Sequence, residues 1–309
     1  MKEIRIFCPG TIANISCGFD VLGLCLDNVG DEMIIRKSNE KGVRITKIVG
    51  ADLPLETEKN VAGVAALSML NQWETDFGFE IEIYKNIKAG SGIGSSAASS
   101  AGAVFGINEL LGRPFDIKDL VQFAMQGEKL ASGSAHADNV APALLGGFTL
   151  VRSYDPLDII KIHSPSELYA TVVHPQIELK TSDARSVLKQ TVSLQNAIIQ
   201  WGNVGGLIAG LYTHDYELIG RSLHDQIIEP IRSVLIPGFD RVKNTAIHHG
   251  ALGSGISGSG PSIFALSKGK EIAENVAAAM SRIYDEMNLP YETHVSKIND
   301  SGMKIISHD

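Results

Sequence analysis

The stretch Gly90-Ser91-Gly92-Ile93-Gly94-Ser95-Ser96-Ala97-Ala98-Ser99-Ser100 decides how the rest of the chain is read. Three glycines alternate with small residues, and a Ser/Ala segment with helical character follows. Glycine reaches positive φ and places no Cβ between backbone and ligand. Backbone N–H groups can then converge on an anion at the first turn of the following helix. The combination reads as a phosphate cradle suited to a nucleotide. A Walker A loop would close on Gly-Lys-Ser/Thr, and none follows. The dinucleotide fingerprint Gly-x-Gly-x-x-Gly fails too, because after Gly90 and Gly92 the third glycine arrives early, at Gly94. Taken alone, the stretch also fits a flexible small-residue turn.

Outward from the loop, 79–84 alternates as the strand that feeds it. Downstream, 95–111 is helical and unusually small (Ala97, Ala98, Ala101, Gly102, Ala103), so this helix is expected to pack close to its neighbours at the centre of its domain. Gly112 and Pro114 end it, and Asp116 caps a second helix through Leu130. Further strands are expected at 4–7 (stopped by Pro9-Gly10), 32–37, 43–49, 148–152, 168–173, 262–266 and 291–295. Helices are expected at 60–70, from 183, and at 191–212, 216–223, 239–249 and 271–287. Strands and helices mix without strict alternation, which favours an α+β fold. The segment 155–167, with Pro156 and Pro165, is the candidate junction between a domain of 1–160 and one of 161–309.

The chain has 309 residues, 44% hydrophobic, with a net charge of -8. That length suits two domains sharing a site. The negative charge argues against nucleic acid or an anionic membrane as the main partner, while leaving room for local binding of ATP. Cys8, Cys17 and Cys25 form neither a zinc spacing nor a disulfide framework, and read as small buried hydrophobes in a reducing compartment. The N-terminus lacks the apolar core of a signal peptide, and no apolar run is long enough to span a bilayer. A cytoplasmic protein is expected.

Four further clusters hold groups that do chemistry. The turn 9–20 carries Asn14 and Asp20, both able to accept from an ammonium group, though Asn and Asp also cap ordinary turns. Glu128, late on its helix, is a solvated carboxylate unless the helix runs beside the phosphate loop, where it would hold Mg²⁺. His136, Asp138 and Asn139 crowd a short loop. A second glycine loop, 253–262, precedes a strand and serves close approach of backbone to a ligand or to the first loop. Arg185 and Arg232 would suit a substrate carboxylate if they converged.

Together these pieces resemble the GHMP small-molecule kinases, most closely the branch that phosphorylates L-homoserine. The segment 9–20 resembles Pro-Ala-Thr-x-Ala-Asn-Leu-Gly-x-Gly-Phe-Asp of that branch. The loop 90–97 resembles Gly-x-Gly-Leu-Gly-Ser-Ser-Ala, and the last glycine loop resembles Gly-x-Ser-Gly-Ser-Gly-Pro. Gly10, Ile15, Ser16 and Cys17 depart from the pattern, and Lys88 stands where a Pro often precedes the loop. The resemblance implies an N-terminal domain like domain 2 of ribosomal protein S5, a ferredoxin-like C-terminal domain, and a site between them. It implies ATP bound by Lys88, Gly90, Ser91, Gly92, Ile93, Gly94, Ser95 and Ser96, with Asn60 near the adenine. Ser96 and Glu128 would hold Mg²⁺, and Thr181 would sit near the transferred phosphate. Asn14, Asp20 and His136 would surround the amino end of the substrate, and Arg185 and Arg232 would grip its carboxylate with Gly258 nearby. Some relatives use an Asp as base in the region matching Asp138. The homoserine branch uses an Asn, matching Asn139, to orient the hydroxyl, which leaves Asp138 supporting. A homodimer is common among such proteins. A sister kinase acting on mevalonate or a sugar, and a non-catalytic ligand sensor, are the competing readings.

Overall fold

Alternating apolar residues in the first half of the chain build one sheet, and the second half builds another. The computed structural model describes residues 1–177, 179 and 181–309, the side chains of Thr181 and Ser182 excepted. The elements in chain order are β1 (Glu3–Ala13), β2 (Leu22–Ser38), β3 (Gly42–Val49), α1 (Val61–Leu70), β4 (Gly78–Tyr84), α2 (Ser95–Leu111), α3 (Ile117–Ser132), α4 (Val140–Leu145), β5 (Phe148–Tyr154), β6 (Leu157–Ile162) and β7 (Leu168–Pro175). They continue as α5 (Thr181–Ser186), α6 (Leu194–Thr213), α7 (Tyr216–Ser222), α8 (Glu229–Arg232), α9 (Phe239–His248), β8 (Gly253–Ile256), β9 (Ile263–Lys268), α10 (Lys270–Glu286), β10 (Tyr291–Lys297) and β11 (Lys304–His308). Among the described residues, no helix is long and apolar enough to cross a membrane.

The first sheet runs β11-β1-β2-β4-β3, with β5 on β2 and β6 on β5. Only β3 and β4 pair in parallel. β1 does not stop at Pro9-Gly10. Its register against β2 shifts between Pro9 and Thr11, and this bulge accommodates the missing N–H and re-aims the strand toward Asn14. The helices α1, α2, α3 and α4 cover the sheet, with α2 central as its small residues imply. A Cβ on Gly102 would lie 2.5 Å from Cys8 Sγ, so glycine permits this approach of helix to sheet. On the far side of α2, a Cβ on Gly127 of α3 would lie 2.3 Å from Ser100 Oγ. That close crossing carries the next residue, Glu128, to the first turn of α2. All three cysteines are free and buried, and burial pushes the Cys17 thiol up to about 12.

The second sheet, β10-β7-β9-β8, is antiparallel throughout. Numbered from β7, its strands follow the order 4-1-3-2 with helical crossovers after the first and third, a ferredoxin-like layout. α9 and α10 pack on it around Val173, Phe239, Ile263, Met280 and Tyr284. The junction expected near residue 160 falls inside β6, which belongs to the first sheet. After β10 the chain returns, and β11 pairs with β1, so both chain ends sit in the first sheet. α6 and α7 also pack on the first core, through Leu207, Leu211 and Ile219.

Candidate active site

A cleft of about 580 Å³ opens where the N-terminus of α2 faces the loops of the second half. Gly90, Gly92 and Gly94 all have positive φ, at 74°, 81° and 68°. Gly94 is the N-cap of α2 and offers no side-chain acceptor, so the first-turn N–H groups are left for a ligand. The second glycine loop, a hairpin between β8 and β9, buttresses the first. Ser257 Oγ donates to the Gly92 carbonyl at 2.7 Å, and Ser262 N donates to the Ser91 carbonyl at 3.3 Å. A Cβ on Gly92 would lie 2.5 Å from the Ser257 carbonyl oxygen. The glycines therefore serve both the backbone conformation and the contact between the loops.

Glu128 and Ser96 meet on the cleft wall, Ser96 Oγ donating to Glu128 Oε2 at 3.1 Å. Glu128 Oε1 is buried with no partner among the described residues. Burial raises its carboxyl to about 7, against the lowering effects of Ser96 and Lys85. A buried carboxylate oxygen without a donor, beside a hydroxyl and an anion-binding helix end, fits a hard divalent cation shared with phosphate oxygens. Lys85, also on the wall, is held beneath the same turn. Its Nζ donates to Asp31 Oδ2, to the Ser95 carbonyl at 2.9 Å and to Ser99 Oγ at 3.1 Å. Asp31 Oδ1 accepts from the Asn86 and Ile87 amides at 2.7 and 2.9 Å, so both members of this buried pair have hydrogen-bond partners.

At the other end of the cleft, Asn139 caps α4, and its Oδ1 accepts from Thr11 Oγ1 at 2.7 Å. With that oxygen engaged, Nδ2 is what Asn139 offers a ligand. Arg185 clasps Asp20 with two bonds, Nη1 to Oδ2 at 3.1 Å and Nη2 to Oδ1 at 2.8 Å. Asp20 sits at φ 60°, its amide donating to Asn14 Oδ1 and its carbonyl accepting from Tyr154 Oη. Both arginines stand against the Phe19 ring, whose centroid is 5.4 Å from the Arg185 guanidinium carbon and 5.0 Å from that of Arg232. Arg232 is buried, with Nε donating to the Ala184 carbonyl at 2.8 Å and Nη1 to the Gly258 carbonyl at 3.5 Å. Gly258 also accepts from Asn14 Nδ2 at 2.7 Å. His136 stands edge-on to Tyr154, 3.8 Å from Asp20. Burial, opposed by Asp20 and helped by Arg185, pushes its imidazole below the usual range.

Burial raises the Asp138 carboxyl from 3.8 to about 7, with Asp20 and Glu128 adding to the effect. The native state then holds a proton that the unfolded chain releases. This contribution to stability is full below the unfolded value and is lost as pH rises through the folded one. Asp138→Asn removes the effect. Its unfolding free energy in urea is expected to exceed that of the parent by up to about 4 kcal/mol near pH 8 and to match it below about pH 4. Equal stabilities at both pH values would contradict a buried, neutral Asp138.

The structure brings Asn14, Asp20, Gly90, Gly92, Gly94, Ser95, Ser96, Glu128, His136, Asp138, Asn139, Arg185, Arg232 and Gly258 to one cleft. Asn60 and Lys88 are not on its wall. Asn60 caps α1, its Oδ1 accepting from Ala62 N and its Nδ2 donating to the Pro54 carbonyl. Lys88 is exposed and donates to Gln176 Oε1. The Ser91 and Ile93 side chains are buried in the body of the loop rather than facing the cleft. Thr181 opens α5, and its side chain lies outside the described residues. Four participants escape a reading of sequence: Thr11, Asp31, Lys85 and Tyr154. Each lies in a strand or at its end, among other polar residues, and its partner is distant in the chain.

This fold and this cleft define a GHMP-type small-molecule kinase. The family model for the GHMP kinases N terminal domain matches residues 60–147, and that for the GHMP kinases C terminal region matches 207–286. A homoserine kinase of Chlorobium phaeobacteroides is 49% identical, covering 99% of this chain and 100% of that protein. A crystal structure of homoserine kinase from Cytophaga hutchinsonii has 54% identity and a TM-score of 0.95, covering 99% of this chain and 98% of that one. The mevalonate kinase of L. major, at 16% identity and a TM-score of 0.71, shares the fold alone. The chain belongs to the homoserine kinase family.

Proposed function

We propose that the chain transfers the γ-phosphoryl group of ATP to the side-chain hydroxyl of L-homoserine, releasing ADP and O-phospho-L-homoserine, as a step of threonine biosynthesis in the cytoplasm. The observation that carries this reading is the paired charge at the acceptor end: Asp20 and Arg185 lie 2.8 Å apart on the cleft wall, with Arg232 also against Phe19. An α-amino acid carries the complementary pair, an ammonium for Asp20 and a carboxylate for the arginine forks. Mevalonate has no ammonium group, and a sugar carries neither charge.

In this reading, the α2 N-terminus and the glycine loop bind the triphosphate. The base lies at the apolar end of the cleft, against Leu53, Val61 and Leu130. Asn60 acts indirectly, by tying Pro54 and its neighbour Leu53 to α1. Ser96 and Glu128 would hold Mg²⁺, which supplies charge neutralisation to the phosphates. Asn139 Nδ2 orients the homoserine hydroxyl. Its oxygen bonds to Pγ as the bond from Pγ to the bridging oxygen breaks, and that electron pair leaves with ADP. The hydroxyl proton passes to a phosphoryl oxygen as transfer completes. A loose transition state asks for positioning and charge stabilisation rather than a strong base. Asp138, protonated by burial, is a poor base below neutral pH and takes a supporting role.

The test is ADP release with Mg-ATP and L-homoserine, against mevalonate, galactose, L-serine and L-threonine. Release specific to L-homoserine is expected. Asn139→Ala is expected to lower kcat by about 10²-fold, the scale of lost positioning, while Asp138→Asn stays within about tenfold of the parent. If Asp138→Asn abolishes turnover with folding and substrate binding intact, the two roles are reversed.

A further inference from the structure

Arg232 and Asp225 share the wall of a second cavity, about 10 Å³ in volume, which Phe19 also lines. Both side chains are buried, at 3% and 5% exposure, and neither makes an ion pair among the described residues. Four N–H donors satisfy Asp225 instead. Its Oδ1 accepts from Ile227 N at 2.9 Å, Ile228 N at 3.0 Å and Gln200 Nε2 at 3.0 Å, and its Oδ2 accepts from Glu229 N at 2.9 Å. Three consecutive backbone amides thus converge on one carboxylate and open α8, whose four residues are too few to form a helix unaided. Arg232 is the last of the four. Burial and Arg185 weigh against the charge on Arg232, while Asp20, Asp225 and Asp138 favour it. Asp20 is already clasped by Arg185.

Gln200 reaches this carboxylate from α6, a helix anchored on the first core through Leu207 and Leu211. Its amide is fully engaged. Besides Asp225, Nε2 donates to the Cys17 carbonyl at 2.8 Å, and Oε1 accepts from Gln226 N at 2.9 Å. Cys17 belongs to the turn that presents Phe19 and Asp20. Three consecutive residues of that turn lie in the left-handed region, Asn14 at φ 71°, Ile15 at 40° and Ser16 at 61°. Such backbone is disfavoured, above all for a β-branched residue, and persists where its surroundings fix it. One amide therefore holds both the turn with the ammonium acceptor and the helix with the guanidinium fork. Neither Gln200 nor Asp225 lines the substrate cleft itself.

We propose that Gln200 and Asp225 are positioning residues for the amino-acid substrate, an inference that rests on the L-homoserine reading above. Asp225 sets α8 and supplies a counter-charge to Arg232. Gln200 ties α8 to the Cys17 turn, so that fork and acceptor keep the spacing of a carboxylate and an ammonium carried on one carbon.

Gln200→Met keeps the length of the side chain and removes the amide. Its kcat/KM for L-homoserine is expected to fall by about tenfold, chiefly through KM, with KM for ATP within about twofold of the parent. Asp225→Asn removes the charge, and a fall of about 30-fold is expected. In an Arg232→Met background the same substitution is expected to change kcat/KM by less than about threefold, because its effect on substrate passes through the missing fork. A purely structural role would cost as much in both backgrounds. Melting curves accompany each variant. Where Asp225→Asn is unfolded at the assay temperature, Gln200→Met takes its place in the cycle, and its penalty is expected to shrink in the same way. Unchanged kcat/KM for L-homoserine in both single variants overturns the proposal. So does a penalty as large without Arg232 as with it, or a matching rise in KM for ATP. A parent chain that phosphorylates another alcohol and not L-homoserine overturns the functional reading, and this proposal with it.

Discussion

Glu128→Gln is expected to lower kcat by about 10²–10³-fold, some 3–4 kcal/mol of transition-state stabilisation, without unfolding the protein. The carboxylate is buried at the first turn of α2, with one oxygen on Ser96 and the other without a partner among the described residues. Glutamine has the same shape and keeps an oxygen for Ser96, so packing against α2 survives. What disappears is the negative charge that, in the proposed role, would meet a cation carried with the triphosphate. Burial disfavours that charge in the ligand-free protein, raising the carboxyl to about 7. The neutral amide therefore removes a cost, and thermal stability is expected to hold or rise. Steady-state kinetics against Mg²⁺ concentration, with a melting curve beside them, separate the two effects. A kcat within threefold of the parent would remove Glu128 from the site's chemistry.

The second large effect is expected at Arg232. Its guanidinium is buried against Phe19, and its hydrogen bonds among the described residues go to carbonyl oxygens of Ala184 and Gly258. Burial, with Arg185 adding to it, pushes it down to about 10, so it stays charged at neutral pH. A buried cation bonded to neutral oxygens is well disposed toward a substrate carboxylate. Arg232→Met keeps the aliphatic stem and removes the fork. KM for L-homoserine is expected to rise by about 10²-fold or more, roughly 3 kcal/mol for a lost charged partner. KM for ATP is expected to stay within threefold. Arg232→Lys restores the charge but not the planar fork, and partial rescue at best is expected. A rise in KM for ATP with KM for L-homoserine unchanged would move Arg232 to the nucleotide end.

Much of the site was legible because its chemistry is local in sequence. The glycines at 90, 92 and 94, followed by a small-residue helix, call for a left-handed turn through backbone conformation alone, and the structure has positive φ at each. The same holds for the small residues of α2, which imply close packing before any neighbour is known. Local signals misled where a distant partner took up the group. Pro9-Gly10 reads as a strand end, yet pairing with β2 carries the strand through by a bulge. Asn60, which by resemblance matches a position near the adenine, has its side chain engaged by its own helix and by the Pro54 carbonyl.

What the sequence by itself determined is the set of backbone shapes: the glycine turn, the central helix that must pack closely, and a chain of α+β type. Tertiary structure alone decided which polar groups face one another. Lys85 pairs with Asp31, 54 positions away, Thr11 bonds Asn139 across 128, and Arg185 bonds Asp20 across 165. Backbone conformation follows from steric limits on each residue and its immediate neighbours. The charge state and orientation of a buried side chain follow from burial and from partners that folding brings from elsewhere in the chain.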